Sequence, residues 1–225
     1  MRISRATLVL AISLVLAVSG CSKQITGTAQ PDPNKPPLAL SEDGFGIAAG
    51  FEDAPTRIEI FTEPQCSHCA DLQADFGDQL AYYIGIGALT VTYRPLTFLD
   101  DGSEGYSAHV SNAMFLVAEG DATGTQFQRF VQELYGHQER TKGGSGPSDD
   151  EMAEMAKAAG MPGEVADRIA GGGSAVNVKD MDDLNFGFLY DIDMLETGTP
   201  TVYDPANDEK VDIFDNGWLS KLMQS

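Results

Sequence analysis

Two cysteines separated by two residues constrain this chain more than any other feature of its sequence. Cys66-Ser67-His68-Cys69 comes after a β-branched and aromatic run at 57–62 and before apolar residues spaced three or four apart. The run is typical of a strand and the spacing of one face of a helix. The pair is therefore predicted at a helix N-terminus, where unpaired N–H groups and the helix dipole favour a thiolate over a thiol. Thiol–disulfide exchange needs that thiolate.

A Cys-X-X-Cys pair indicates either redox chemistry or half of a zinc site. A structural zinc site takes four ligands, whereas Cys66, Cys69 and His68 supply at most three. The other two histidines, His109 and His137, are isolated in the sequence. A redox dithiol is therefore favoured over a zinc site or a merely structural disulfide, and no metal or other cofactor is predicted.

Residues 1–20 predict a lipoprotein signal peptide. Two arginines precede an apolar run at 6–18, which is shorter than the roughly 20 residues that span a bilayer. Residues 18–21 resemble a bacterial lipobox, in which the cysteine, here Cys21, is lipidated and becomes the new N-terminus. A retained N-terminal anchor is the alternative interpretation.

Residues 21–41 predict a lipid-anchored tether, because four prolines stand there among mostly polar residues. The folded domain is then expected outside the cytoplasm, held at the cell membrane by its N-terminal lipid alone. The formal net charge of −20 excludes ordinary nucleic-acid binding, which needs a basic face.

The same two patterns predict the order of the remaining elements. A strand at 88–94 completes a βαβ unit, whose two strands are expected to be parallel. Further helices are predicted at 108–119, 127–135, 148–160, 162–170, 181–195 and 218–223, and further strands at 201–203 and 210–214. The predicted buried face of the helix at 181–195 consists of Met181, Leu184, Phe188, Ile192 and Leu195.

This order, with the cysteine pair at the first helix and Thr199-Pro200 before the third strand, resembles the DsbA-like branch of thioredoxin-fold disulfide oxidoreductases. The resemblance extends from about Gly46 to Leu222. It implies an α/β, thioredoxin-like fold with an inserted helical subdomain. The thioredoxin-like domain would comprise residues 42–103 and 175–225, and the helical insert residues 104–174.

The resemblance also implies roles for individual residues. Cys66 is expected to be the exposed nucleophile and Cys69 its buried resolving partner. Pro200 is expected to follow a cis peptide bond, which would place the Thr199 backbone beside the disulfide to pair with substrate main chain. His68, between the cysteines, is expected to stabilise the Cys66 thiolate through its imidazole.

The chain departs from the family pattern at two positions. Ser67 replaces the proline that usually follows the first cysteine, and Ile60 stands where many thioredoxin-fold proteins have a buried acid. Either the acid that relays protons is missing, or Glu59 or Glu63 substitutes for it. The favoured interpretation is that both glutamates are solvated carboxylates.

The predicted function is that of an extracytoplasmic thiol:disulfide oxidoreductase, with an oxidase as the favoured direction. It would pass the Cys66–Cys69 disulfide to exported polypeptides that have free thiols, through a mixed disulfide at Cys66. Family analogy implies reoxidation by a membrane quinone-linked oxidase of the vitamin K epoxide reductase-like type. The alternatives are a dedicated reductase, for example in cytochrome c assembly, and a non-catalytic lipoprotein that uses the fold for binding.

Overall fold

The computed structural model describes residues 35–101, 105–138 and 146–224. The predicted signal peptide, Cys21 and most of the predicted tether lie outside the described residues. The strands are β1 (Leu38–Leu40), β2 (Ile47–Ala49), β3 (Thr56–Thr62), β4 (Leu89–Pro95), β5 (Thr201–Asp204) and β6 (Glu209–Lys210). The helices are α1 (Ser67–Gly85), α2 (Tyr106–Ala118), α3 (Gly124–Gly136), α4 (Asp149–Ala158), α5 (Gly163–Ala170), α6 (Val178–Ile192) and α7 (Trp218–Leu222).

The strands form one mixed sheet in the order β1-β2-β4-β3-β5-β6. β3 is parallel to β4 and antiparallel to β5, so β3, α1 and β4 form the predicted βαβ unit. Strand β3 is buried by neighbours on both edges, and its Ile58 and Ile60 side chains are almost fully inaccessible. The strand that leads into the cysteine pair is thus held inside the sheet.

The sheet begins earlier in the chain than the sequence predicts. β1 pairs with β2, and the amides of Gly50 and Gly124 donate hydrogen bonds to the carbonyls of Pro37 and Pro36. The tether predicted for residues 21–41 is therefore too long at its C-terminal end. A strand of three residues is too short to give a periodic signal, which is why β1 and β2 are not predicted.

Helices α2 to α5 lie within the range predicted for the insert, and α3 packs against α1. The buried apolar side chains of α3 include Phe127, Phe130 and Val131. A buried chain of polar groups crosses this contact: the Tyr93 hydroxyl donates to Gln128, whose amide donates to Gln73 on α1 at 2.8 Å. The insert therefore packs against α1 and helps to bury it.

Helix α6 packs on β4, and of its predicted buried face only Met181 is confirmed as fully buried. Met181, Asn185 and Leu189 are its buried residues, whereas Phe188 is 38% exposed and Leu195 lies beyond the helix end. The hydrogen bonds of Asn185 explain which face of the helix is buried. The Asn185 amide donates to the carbonyls of Phe45 and Pro95 at 3.0 and 2.9 Å, and its oxygen accepts from Arg94 at 3.2 Å.

The strand predicted at 210–214 is also wrong in extent. β6 contains only Glu209 and Lys210, and the chain then turns where the Asp212 carboxylate accepts the Phe214 amide at 3.1 Å. Such a side-chain bond to the backbone two residues on competes with strand pairing. Phe214 consequently projects outward and is 91% exposed.

We expect Asn185→Ala to destabilise the fold by at least about 2 kcal/mol, because it leaves two buried carbonyls and part of Arg94 without partners. Urea unfolding of the disulfide form measures this change. The matched control is Asn216→Ala at an exposed position, which should stay within about 0.5 kcal/mol of the parent. Equal stability of the two variants would contradict the assigned role of Asn185.

Candidate functional site

Cys66 occupies the position immediately before the first residue of α1, and Cys69 lies in the first turn. Both are free thiols; Cys66 is half-buried and Cys69 is fully buried. The Cys66 Sγ lies 3.2 Å from the carbonyl oxygen of Thr199, to which the thiol donates. The Thr199–Pro200 peptide bond is cis, as predicted. The structure thus brings together four of the predicted site residues, although Cys66 and Thr199 are 133 positions apart in the chain.

The surroundings of Cys66 stabilise its thiolate. The strongest contribution is a hydrogen bond from the Cys69 thiol; the Thr199 side chain and the backbone N–H groups of Cys69 and His68 add to it, while partial burial opposes it. Together they lower the pKa of Cys66 from 9.0 to about 5. The predicted effect of the helix N-terminus is therefore present as two amide donors at one sulfur.

Cys69 behaves in the opposite way. Burial raises the pKa of the Cys69 thiol well above its ordinary value, and the hydrogen bond to Cys66 and the charge of Cys66 raise it further. The backbone of Glu63 and the hydroxyl of Thr62 oppose this rise. The Thr62 hydroxyl is in turn hydrogen-bonded to the buried Tyr135 hydroxyl of α3. The two thiols therefore differ strongly in acidity, which suits one nucleophile and one protonated partner.

His68 lies beside the pair, but its imidazole faces solvent. The side chain is 79% exposed, and its Nδ1 lies 3.7 Å from an Asp71 carboxylate oxygen. The contribution of His68 that lowers the pKa of Cys66 comes from its backbone N–H. The role predicted for the imidazole stays a prediction.

Glu63 is fully buried, so the interpretation of this residue as a solvated carboxylate is wrong. Its carboxylate accepts hydrogen bonds from the backbone N–H of Gln65 at 2.6 Å and from the Ser107 hydroxyl. Burial raises the pKa of Glu63 from 4.5 to about 7; these hydrogen bonds oppose the rise, and the nearby charges of Asp100 and Cys66 add to it. Pattern reasoning missed this because β3 ends at Thr62 and alternation stops there.

Glu59, the other proposed substitute, belongs to a different cluster. Its two carboxylate oxygens accept hydrogen bonds from Arg94 at 2.8 and 3.1 Å, and Asp43 lies 3.0 Å from the same guanidinium. The Glu59 side chain is 22% exposed and Arg94 is 7% exposed, so Glu59 is an ion-pair partner and not a free carboxylate. Its contacts assign it to the structure of the sheet and not to the dithiol.

Two glutamines that carried no signal in the sequence hold the loop in front of α1. The Gln138 amide, just beyond α3, donates to the carbonyls of Pro64 and Cys66 at 2.7 and 3.0 Å. The side-chain amide of Gln65 donates to the Asp100 carboxylate at 2.7 Å and to the Ser107 hydroxyl at 3.1 Å. These contacts join residues 35 to 74 positions apart, which no local motif could indicate.

Two other properties concern the described ranges only. In residues 35–101, 105–138 and 146–224, no helix is long and apolar enough to cross a membrane. Within those same ranges, no three His, Cys, Asp or Glu side chains are grouped so that they could hold a metal ion.

The sheet order, the helical insert and a dithiol that faces a cis-proline define a thioredoxin fold with an inserted helical subdomain. The family model described as Thioredoxin matches residues 42–186, and the chain belongs to that family.

Solved structures with the same fold come from several bacteria. MdbA, a thiol-disulfide oxidoreductase from Corynebacterium matruchotii, is 22% identical with a TM-score of 0.67, covering 84% of this chain and 92% of that one. Reduced DsbA from Mycobacterium tuberculosis is 20% identical with a TM-score of 0.60, covering 80% and 92%. Oxidised BdbD from Bacillus subtilis is 17% identical with a TM-score of 0.57, covering 85% and 97%. At such identities the likeness is one of fold.

A curated relative of this chain is a larger protein. Serine/threonine-protein kinase PknE of Mycobacterium tuberculosis is 28% identical over 186 residues, which are 79% of this chain. The match covers only 31% of the length of PknE. The similarity therefore concerns one part of that protein.

We expect Cys69→Ala to raise the pKa of Cys66 from about 5, because the hydrogen bond from the Cys69 thiol is the largest stabilising contact of the thiolate. Titration of the thiolate absorbance of the reduced protein measures this pKa. His68→Ala is the matched variant and should shift the pKa less, since the backbone N–H at position 68 remains. A larger shift in His68→Ala than in Cys69→Ala would contradict this order and favour the imidazole.

Proposed function

We propose that this protein is an extracytoplasmic thiol:disulfide oxidoreductase that oxidises exported polypeptides. The observation that carries the proposal is the stabilised Cys66 thiolate, which has a pKa of about 5. A stabilised thiolate stabilises the reduced dithiol, and a stable reduced form makes the disulfide the stronger oxidant. The family membership supports the same class of chemistry.

In the proposed reaction, a substrate thiolate attacks the Cys66 Sγ of the disulfide form. The Cys66–Cys69 bond breaks, a mixed disulfide forms, and Cys69 leaves with the electron pair. A second substrate thiolate then attacks the substrate sulfur of the mixed disulfide, and Cys66 leaves as a thiolate. Two electrons pass from the substrate dithiol to the protein dithiol, and the substrate gains one disulfide.

The difference in acidity between the two thiols fits the two steps in which Cys69 and then Cys66 are the leaving groups. Cys66 can leave as an anion because its charge is stabilised. Cys69 must take up a proton, because burial penalises its charge. Glu63 is the proposed proton-exchanging group, since it is a buried carboxyl with a pKa of about 7 that is affected by the charge of Cys66. Such a group is both protonated and ionised to a useful extent near neutral pH.

The cellular setting belongs to the same proposal. Cys21 would be the lipidated residue that anchors the mature chain at the cell membrane, with residues 21–35 as a shortened tether before the folded domain. A membrane quinone-linked oxidase of the vitamin K epoxide reductase-like type would accept the two electrons and restore the disulfide. These elements explain how one molecule could turn over repeatedly outside the cytoplasm.

We expect the Cys66–Cys69 couple to be clearly more oxidising than thioredoxin, whose potential is about −270 mV, and closer to the value of about −120 mV for DsbA. Equilibration with glutathione redox buffers, followed by thiol alkylation, measures the potential. Thioredoxin, run in the same buffers, is the control. A thioredoxin-like value would reject the oxidase direction and favour the dedicated reductase.

We expect Glu63→Gln to stabilise the disulfide form at neutral pH. The pKa of Glu63 is raised on folding from 4.5 to about 7, so the native state binds the extra proton and loses stability as pH rises between these values. The gain of the variant should be small below pH 4.5, grow through this window, and level off above it at no more than about 3 kcal/mol, because the disulfide form lacks the Cys66 charge that adds to the raised pKa.

Urea unfolding of the disulfide form from pH 4 to pH 8 tests this pH dependence, because neither cysteine has a thiol that titrates in that form. Glu164→Gln, at an exposed position of α5, is the control and should give no such window. A Glu63→Gln difference that does not change with pH would contradict the raised pKa.

A further inference from the structure

A groove with an apolar base lies beside the Cys66–Thr199 contact. Two hollows of about 270 and about 380 Å³ share Pro200, Ile213 and Phe214 as lining residues. The smaller hollow continues along the first turns of α1, and the larger one continues toward the loop that follows α6. Because Thr199 lines the smaller hollow and its carbonyl contacts the Cys66 Sγ, a chain whose cysteine reaches this sulfur can lie along the groove.

The base of the groove offers apolar contacts. Phe214 is 91% exposed, whereas large apolar side chains are usually buried. Leu72 and Phe76 of α1 also line the smaller hollow. An exposed aromatic ring over an apolar base favours an apolar side chain of a bound segment.

The rim of the groove is strongly acidic. Five carboxylates line the two hollows, namely Asp71, Asp75, Asp193, Glu196 and Asp212. Lys210 is the one lysine or arginine among these lining residues, and its Nζ already lies 2.7 Å from Asp193 and 4.0 Å from Glu196. Asp75 and Asp212 take part in no ion pair within the described residues. The groove therefore has two carboxylates, Asp75 and Asp212, without an ion-pair partner among the described residues, and one lysine shared between two others.

We propose that this groove selects extended, cysteine-containing segments of exported polypeptides that have an apolar residue and a lysine or arginine close to the cysteine. The inference rests on the proposed function and adds a substrate class to it. Cationic side chains would face the uncompensated carboxylates on the rim while the apolar residue contacts Phe214. The formal net charge of −20 would steer the same segments toward the protein from a distance.

The chemistry of the first step favours the same choice. The acidic rim repels an incoming substrate thiolate, and a neighbouring lysine or arginine offsets that repulsion. A cation beside the substrate cysteine also lowers the pKa of its thiol and so raises the fraction of attacking thiolate. The selection is thus expected to affect the approach of the substrate more than the later departure of Cys66.

Matched dithiol peptides test the proposal. The peptides share two cysteines and one leucine and differ only in having lysine, glutamine or glutamate next to the first cysteine. The rate at which each reduces the disulfide of the full mature chain is followed by quenching and alkylation, and is compared at equal thiolate concentration. We expect the lysine peptide to react about tenfold faster than the glutamate peptide at low salt, with the ratio falling as salt rises.

Two double variants separate the groove from the overall charge. Asp75→Asn with Asp212→Asn should reduce the lysine-to-glutamate ratio to about threefold or less. Asp121→Asn with Asp167→Asn removes the same charge from exposed positions that do not line the groove, and should leave the ratio near that of the parent. Phe214→Ser should slow the leucine-containing peptides and narrow their advantage over matched peptides with serine instead of leucine.

The outcomes are distinguishable from a failure of the proposed function. Equal rates for lysine and glutamate peptides would overturn the charge selection, while the oxidising potential could still hold. An equal loss of selectivity in both double variants would assign the preference to overall charge and overturn the role of the groove. If no peptide is oxidised by a protein in its disulfide form, the proposed function itself is wrong.

Discussion

The stabilisation of negative charge on one sulfur is the interaction on which the rest of the site depends. The Cys66 sulfur accepts hydrogen bonds from the Cys69 thiol and from two backbone N–H groups. Its pKa falls to about 5, although the chain has a formal net charge of −20. Charges on the exposed surface are screened by solvent and salt, whereas donors in contact with the sulfur are not. Local hydrogen bonds therefore outweigh the overall charge. The geometry that provides them requires β3 to stop at Thr62 and α1 to begin at Ser67.

The helical insert supports this junction directly. Helix α3 packs on α1, places the Tyr135 hydroxyl against Thr62, and ends just before Gln138, which holds the carbonyls of Pro64 and Cys66. The insert thus supplies contacts to the strand end and to the loop between strand and helix.

Two kinds of carboxylate surround the dithiol, and their burial separates their effects. Glu63 is buried, so its charge is costly and its pKa rises to about 7, which suits proton exchange. The acids that line the groove are mostly exposed to solvent, which suits recognition of cationic segments. The same functional group can therefore serve chemistry at one depth and selection at another.

The sequence by itself determined the βαβ unit, the dithiol at a helix N-terminus, the helices of the insert and the cis Thr199–Pro200 bond, because each has a local pattern or a family motif. Tertiary structure alone decided the environment of Glu63, the contacts of Gln138 and the buried face of α6. The Asn185 example shows the physical reason. Apolar periodicity pointed to Phe188, but two buried carbonyls and Arg94 needed polar partners, and only the packing of β4 against α6 brought them to Asn185.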